Sequence, residues 1–151
     1  MKKAFLIIFA SGLILMACSQ SSVPPKDVQA AFTEKFNTVK GLKWSYEDDE
    51  WEAEFRSGGK EMSASFDENG NWLETETKLK NGNVPENILK TVDLKFNGWE
   101  TEEIERIEKP DYNGYEIILE KEESETEILI SDAGEIIMSK VTTEGEDADG
   151  D

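Results

Sequence analysis

The chain has no histidine and a single cysteine, Cys18. Without histidine there is no His-centred catalytic triad and no imidazole metal ligand. A lone thiol cannot close a disulfide within the chain, so packing alone must hold the fold. Basic residues are scarce as well: 16 Lys and Arg stand against 34 Asp and Glu, for a formal net charge of −18. Such a surface repels nucleic-acid phosphate and anionic headgroups, which argues against a nucleic-acid partner. The same charge leaves two uses open, solubility alone or attraction of a basic protein partner. No long apolar run occurs after residue 17.

The apolar run that does exist opens the chain. Lys2 and Lys3 precede a stretch from Ala4 to Ala17 broken only by Ser11 and Gly12, the layout of a secretory signal. Its 14 residues fall short of the roughly 20 that a membrane-spanning helix needs. The string Leu15-Met16-Ala17-Cys18 resembles the lipobox of bacterial lipoproteins, in which the signal is cut before the cysteine and the cysteine is acylated. Several acyl chains on one residue hold a membrane firmly, since each buried methylene adds about 0.8 kcal/mol. Cys18 is thus the expected lipid attachment. Ser19 follows it instead of the aspartate that resembles an inner-membrane retention signal, so the expected location is the periplasmic face of the outer membrane. Cleavage leaves residues 18–151 with a formal charge of −20, Lys2 and Lys3 having gone.

An internal repeat organises the remainder. VPPKDVQAAFTEKFN at 23–37 overlays VPENILKTVDLKFN at 84–97 with a constant offset of 60 from Pro25 and Pro85 to Asn37 and Asn97. Further along, WEAEF at 51–55 matches YEIIL at 115–119, and SFDENGNW at 65–72 matches LISDAGEI at 129–136, both at an offset of 64. Each repeat begins with a helical stripe, Val28, Phe32 and Phe36 in the first and Ile88, Val92 and Phe96 in the second. A proline near each start is tolerated because its missing amide would have no helical partner.

Strand periodicity follows each stripe. Trp51, Ala53 and Phe55 fall on one side of their segment and Glu50, Glu52 and Glu54 on the other, the alternation of a sheet with one dry and one wet face. Met62, Ala64 and Phe66 continue the dry face. Turns are expected at RSGG (56–59), DENG (67–70) and DAG (132–134). Preceding strands are expected at 42–46 and 103–109. The reading is therefore α+β: two tandem repeats, each one helix packed on a four-stranded antiparallel sheet. The expected units are residues 23–80 and 81–141, with 18–22 a spacer and 142–151 a disordered acidic tail. Ile118, Leu129 and Ile137 give the second repeat a further apolar face, which either packs against the first repeat or forms an exposed patch.

Material for catalysis is thin. No serine sits in a recognised nucleophile motif, and Glu50, Glu52 and Glu54 read as a solvated charged face. A hydrolase using carboxylates alone would need two or three of them converging in a cleft. Asp67-Glu68-Asn69-Gly70-Asn71 has the oxygen content of a cation loop, but its glycine is at position four and not at the sixth position of an EF-hand. No catalytic residue, cofactor or metal site is therefore expected.

The VP pair before each helix, the aromatic residue followed by alternation (WEAEF, YEIIL), and the hairpins at DENG and DAG together resemble the PepSY-like family. They are most similar to its beta-lactamase-inhibitor-like periplasmic members, which carry two such units in tandem. The resemblance spans residues 23–141. It implies a concave sheet surface, rich in aromatic and charged residues, turned toward a protein partner. The aromatics to inspect there are Trp44, Trp72 and Trp99, since such rings are frequent in binding hot spots. Trp51 and Tyr115 lie in the apolar register of their strands and read as core. The expected function is a non-enzymatic, lipid-anchored envelope protein acting as a binding module. The alternative is an inhibitor or regulator of an exported enzyme such as a peptidase or beta-lactamase.

Overall fold

The computed structural model describes residues 23–143. The signal segment, the spacer, Cys18 and the tail from residue 144 onward lie outside the described residues. The chain runs as helix α1 (Lys26–Lys35), strands β1 (Lys40–Glu47), β2 (Glu50–Ser57), β3 (Lys60–Asp67) and β4 (Trp72–Lys78), then helix α2 (Glu86–Lys95) and strands β5 (Glu100–Glu108), β6 (Asn113–Lys121), β7 (Ser124–Ser131) and β8 (Ile136–Thr143). This is the expected fold, two helix-plus-four-strand repeats. All eight strands form one antiparallel sheet in chain order.

Each helix begins after a proline, Pro25 or Pro85, and carries an acid in its first turn and a lysine in its last. Both charges complement the helix dipole. Glycines allow one of the two-residue hairpins: Gly58 and Gly59 both have positive φ between Ser57 and Lys60, which pair directly. This is the backbone that a two-residue turn between right-twisted strands demands. The repeat offset changes from 60 to 64 between β5 and β6. A two-residue turn, Asp48-Asp49, becomes a longer connection through Lys109 and Tyr112.

Strand pairing decides where the helices go. Directly opposed residues of antiparallel strands share a face. Across the seam between the repeats Thr77 opposes Arg106, and Arg106 in turn opposes Tyr115. The dry faces of both repeats therefore lie on the same side of the sheet, and both helices pack there.

Two separate cores result. In the first, Val28 and Phe32 of α1 meet Ala53, Phe55, Ala64 and Phe66. In the second, Ile88 and Val92 of α2 meet Ile104, Tyr115, Ile117, Leu119, Ile128 and Ile130. The repeats solve the same packing problem with opposite choices of size. Ala53 opposes Ala64, which leaves room for the ring of Phe32. Ile117 opposes Ile128, and the corresponding helix position is the smaller Val92. The helix residue is thus larger where the strand residues are smaller, the direction that close packing requires.

The second apolar face of repeat two does not pack against repeat one. Ile118 and Leu129 lie on the helix-free side of the sheet, Leu129 buried and Ile118 partly so. Ile137 sits where a bulge shifts the register between β7 and β8 and is exposed. Continuity of the sheet through β4 and β5 joins the repeats, so no face-to-face contact is needed.

Candidate functional site

The side of the sheet without helices is concave. A depression of about 1050 Å³ runs across it, lined from β2 by Glu52 and Glu54, from β4 by Glu76 and from β5 and β6 by Glu105, Glu116 and Ile118. The acids reach this face by parity alone. Alternation places Glu52 opposite Ser65 and Glu76 opposite Ser63, and Glu105 directly opposite Glu116. Opposed side chains stand about 4.5–5.5 Å apart at Cβ, and like charges so placed repel.

Basic residues on this face are spent on other acids. Lys43 pairs with Glu54, Arg56 with Glu61, Lys78 with Glu103 and Lys109 with Glu74. The central carboxyls of Glu52, Glu76, Glu105 and Glu116 have no ion-pair partner among the described residues. Ser63 donates to Oε2 of Glu76 at 2.9 Å, while its Oε1 is buried without a hydrogen-bond partner. Glu116 is only 6% exposed.

Burial and then repulsion among neighbours hold these groups toward their neutral forms. Burial, followed by the charges of Glu105 and Glu74, pushes the Glu76 carboxyl up to about 8. Burial, followed by Glu127, Glu76 and Glu105, does the same to Glu116, also to about 8. Glu105 and Glu52 are raised by the same two causes, with Glu103 and Glu54 contributing most among the charges. The wet face read from the sequence is thus partly buried at its centre, although Glu50 and Glu54 are exposed.

Convergence of these acids does not make a hydrolytic pair. Two-carboxylate catalysis needs environments that drive one acid up and leave the other ionised. Here burial and like charge drive all of the central acids in one direction. Among the described residues no group of three or more His, Cys, Asp or Glu is disposed to hold a metal ion. The turn at Asp67 is accounted for by local bonding. Its carboxylate accepts from the backbone amides of Asn69 and Asn71 and from the Asn71 side chain.

The tryptophans expected on the concave surface are on the other side. Trp44 and Trp72 are partly buried against the first core, Trp99 against the second. Trp44 meets the edge of Phe32 at 5.2 Å between centroids. Trp72 donates through Nε1 to Thr75 at 2.9 Å and lies under the ammonium of Lys35. Parity puts them there, since Trp44 opposes Ala53 and Trp72 opposes Phe66. Trp51 and Tyr115 belong to the helix side too, Tyr115 buried and Trp51 half-buried beside Tyr46. The carboxyls at the centre of the open face were not singled out from the sequence. The available signal was the repetition of acids at every second residue, Glu74 with Glu76 and Glu103 with Glu105, in successive strands.

Gly114 matters to the same face. A Cβ placed on it would come within 2.0 Å of the Tyr112 hydroxyl and 2.5 Å of the Ile130 carbonyl oxygen. Backbone cannot retreat as a flexible side chain can. Gly114→Ala is therefore expected to lower the unfolding free energy by on the order of 1–3 kcal/mol, as overpacking does. Urea unfolding followed by tryptophan fluorescence measures it, and an unchanged midpoint would mean that β6 and β7 separate freely there.

A family model described as beta-lactamase-inhibitor-like, PepSY-like matches residues 49–138, more than half of the chain. The chain belongs to the PepSY-like family. The PepSY-like chain is also similar to solved structures from Bacteroides. A BLIP-like protein from Bacteroides fragilis is 25% identical, with a TM-score of 0.75 over 83% of this chain and 92% of that one. A DUF2874 family protein from Bacteroides uniformis is 22% identical, with a TM-score of 0.76 over 82% and 93%. Another from Bacteroides ovatus is 19% identical, with a TM-score of 0.77 over 85% and 95%. No curated protein matches the sequence. Fold and family are those of inhibitor-like, non-catalytic proteins, and this PepSY-like chain is a tandem-repeat interaction module.

Proposed function

We propose that the protein is an inhibitor or regulator of an exported enzyme, such as a peptidase or beta-lactamase, and that it docks through the helix-free face of its sheet. The observation that carries this is the continuous eight-stranded sheet with one side covered by both helices and the other left concave. A rigid sheet presenting side chains from seven strands is pre-organised for a protruding loop, and pre-organisation reduces the entropic cost of binding. Similarity to a BLIP-like protein supports the same reading. Similarity to a periplasmic protein from Bacteroides eggerthii, together with the N-terminal lysines, apolar run and Cys18, supports placement in the cell envelope by a lipid on that cysteine.

The test is inhibition by the purified chain of a panel of exported beta-lactamases and peptidases. One enzyme should lose activity with a break at equimolar chain. Ile118→Trp, which fills the depression, should weaken that inhibition at least about tenfold, while Leu94→Arg, on the exposed side of α2, should not. Full potency in Ile118→Trp, or no loss of activity across the panel, would overturn the reading.

A further inference from the structure

The charge on the open face has a distribution that solubility does not require. Acids kept for solvation belong at the periphery, where water screens them. Here Lys43 and Arg56 are paired at exposed positions, Lys78 is paired with Glu103 and Lys109 with the partly buried Glu74, whereas Glu76, Glu105 and Glu116 form no ion pair among the described residues. Glu116 is more than nine-tenths buried, lines the depression and has no hydrogen-bond or ion-pair partner among the described residues. Oxygen Oε1 of Glu76 is likewise buried and unbonded. Leaving such groups unsatisfied costs free energy that a complementary guest would recover.

We propose that Glu76, Glu105 and Glu116 form a receptor for an arginine side chain carried on the docking loop of the protein partner. This rests on the open-face reading above and names the chemistry of what enters. The acids come from three adjacent strands and are not grouped as a metal site, so the fitting cation is an extended one. A guanidinium is planar, carries five N–H donors and can serve more than one carboxylate, whereas an ammonium is a strongly hydrated point charge. Ile118, in the same depression, offers an apolar surface for the methylene stem. Binding forms N–H···O bonds and ion pairs, and each carboxyl that is neutral beforehand releases its proton as the guest arrives.

The probe is a short neutral-flanked peptide, acetyl-Gly-Ser-Arg-Ser-Gly-amide, titrated into the full chain with glutamate carboxyl carbons followed by NMR. Controls replace its arginine with lysine or glutamine. The arginine peptide should move the Glu76, Glu105 and Glu116 resonances and none on the helix side, and bind at least about tenfold more tightly at pH 9 than at pH 6. Glutamine should give no saturable shift and lysine a weaker one. E105Q/E116Q should weaken arginine binding at least about tenfold with the fold intact, as judged by unchanged amide spectra. Equal response to the glutamine peptide, or arginine shifts confined to rim acids such as Glu61, would overturn the proposal. Against the enzyme panel the two readings separate. Full inhibition by E105Q/E116Q would overturn the arginine receptor and leave open-face docking standing. No inhibition across the panel, with the arginine peptide still bound at Glu76, Glu105 and Glu116, would overturn the inhibitor reading and leave the arginine receptor standing.

Discussion

Raising the pH from 5 to 9 should lower the unfolding free energy of this protein by on the order of 3–5 kcal/mol. Most domains gain stability on leaving acid, because their carboxylates are paired in the native state. Here the central carboxyls have the opposite linkage. Glu76 and Glu116 hold their protons in the folded state up to about 8, while in the unfolded chain they lose them near 4.5. Between those limits the folded state binds more protons, so stability falls as pH rises. Their contribution is fully present below about pH 4.5 and lost as pH passes through about 8. One unit of difference corresponds to about 1.4 kcal/mol, and the two groups repel each other, so their effects do not add in full.

The charges facing them come from every neighbouring strand. Glu52 stands on β2, Glu74 and Lys78 on β4, Glu103, Glu105 and Lys109 about β5, and Glu127 on β7 opposite Lys140. Glu52, Glu105 and Glu127 are raised by burial before any other cause and steepen the same slope. Urea unfolding at pH 5, 7 and 9 measures the trend. The variants Glu76→Gln and Glu116→Gln should each be more stable than the parent at pH 9, little different at pH 5, and flatter between. Glu123→Gln, on the exposed turn between β6 and β7, removes the same formal charge and should leave the slope unchanged. A stability that climbs through this window would mean that the central acids are hydrated.

The second large effect is expected at Phe66. Its ring is fully buried and lies 6.3 Å from both Phe32 and Trp44, centroid to centroid. Opposite it on β2 is Trp51, so three aromatic side chains pack about the ring. Phe66→Ala should therefore cost about 3–5 kcal/mol, lost transfer free energy together with a persistent cavity. That is a large share of the 5–15 kcal/mol typical of a whole domain. Trp51→Ala should cost less, about 1–3 kcal/mol. Trp51 is only half-buried, although its register alone marks it as core. Equal losses at the two positions in denaturant unfolding would show that Trp51 is better packed than its exposure indicates.

That contrast shows how far a single strand can be read. Period two separates Trp51, Ala53 and Phe55 from Glu50, Glu52 and Glu54, and the structure keeps the separation. Which member of a face sits beneath the helix and which at its margin depends on where the helix crosses. That crossing places Phe66 at the centre of the core and Trp51 beside Tyr46 near the hairpin. The tryptophans misled for a related reason. Inhibitor-like relatives imply a concave surface with aromatic rings, but opposition to Ala53 and Phe66 commits Trp44 and Trp72 to the helix side.

The repeat, the amphipathic helices after Pro25 and Pro85, the strand alternation and the hairpins were all legible in the sequence, because each is set by residues within a few positions of one another. The acidic centre was not. Glu76 and Glu116 stand 40 positions apart on strands separated by β5, and within their own segments they look like any solvated glutamate. Only the pairing of β4 with β5, which merges two sheets into one and leaves a single concave side, brings Glu76, Glu105 and Glu116 together. Burial and mutual repulsion are properties of that assembled surface, and no local stretch of chain contains them.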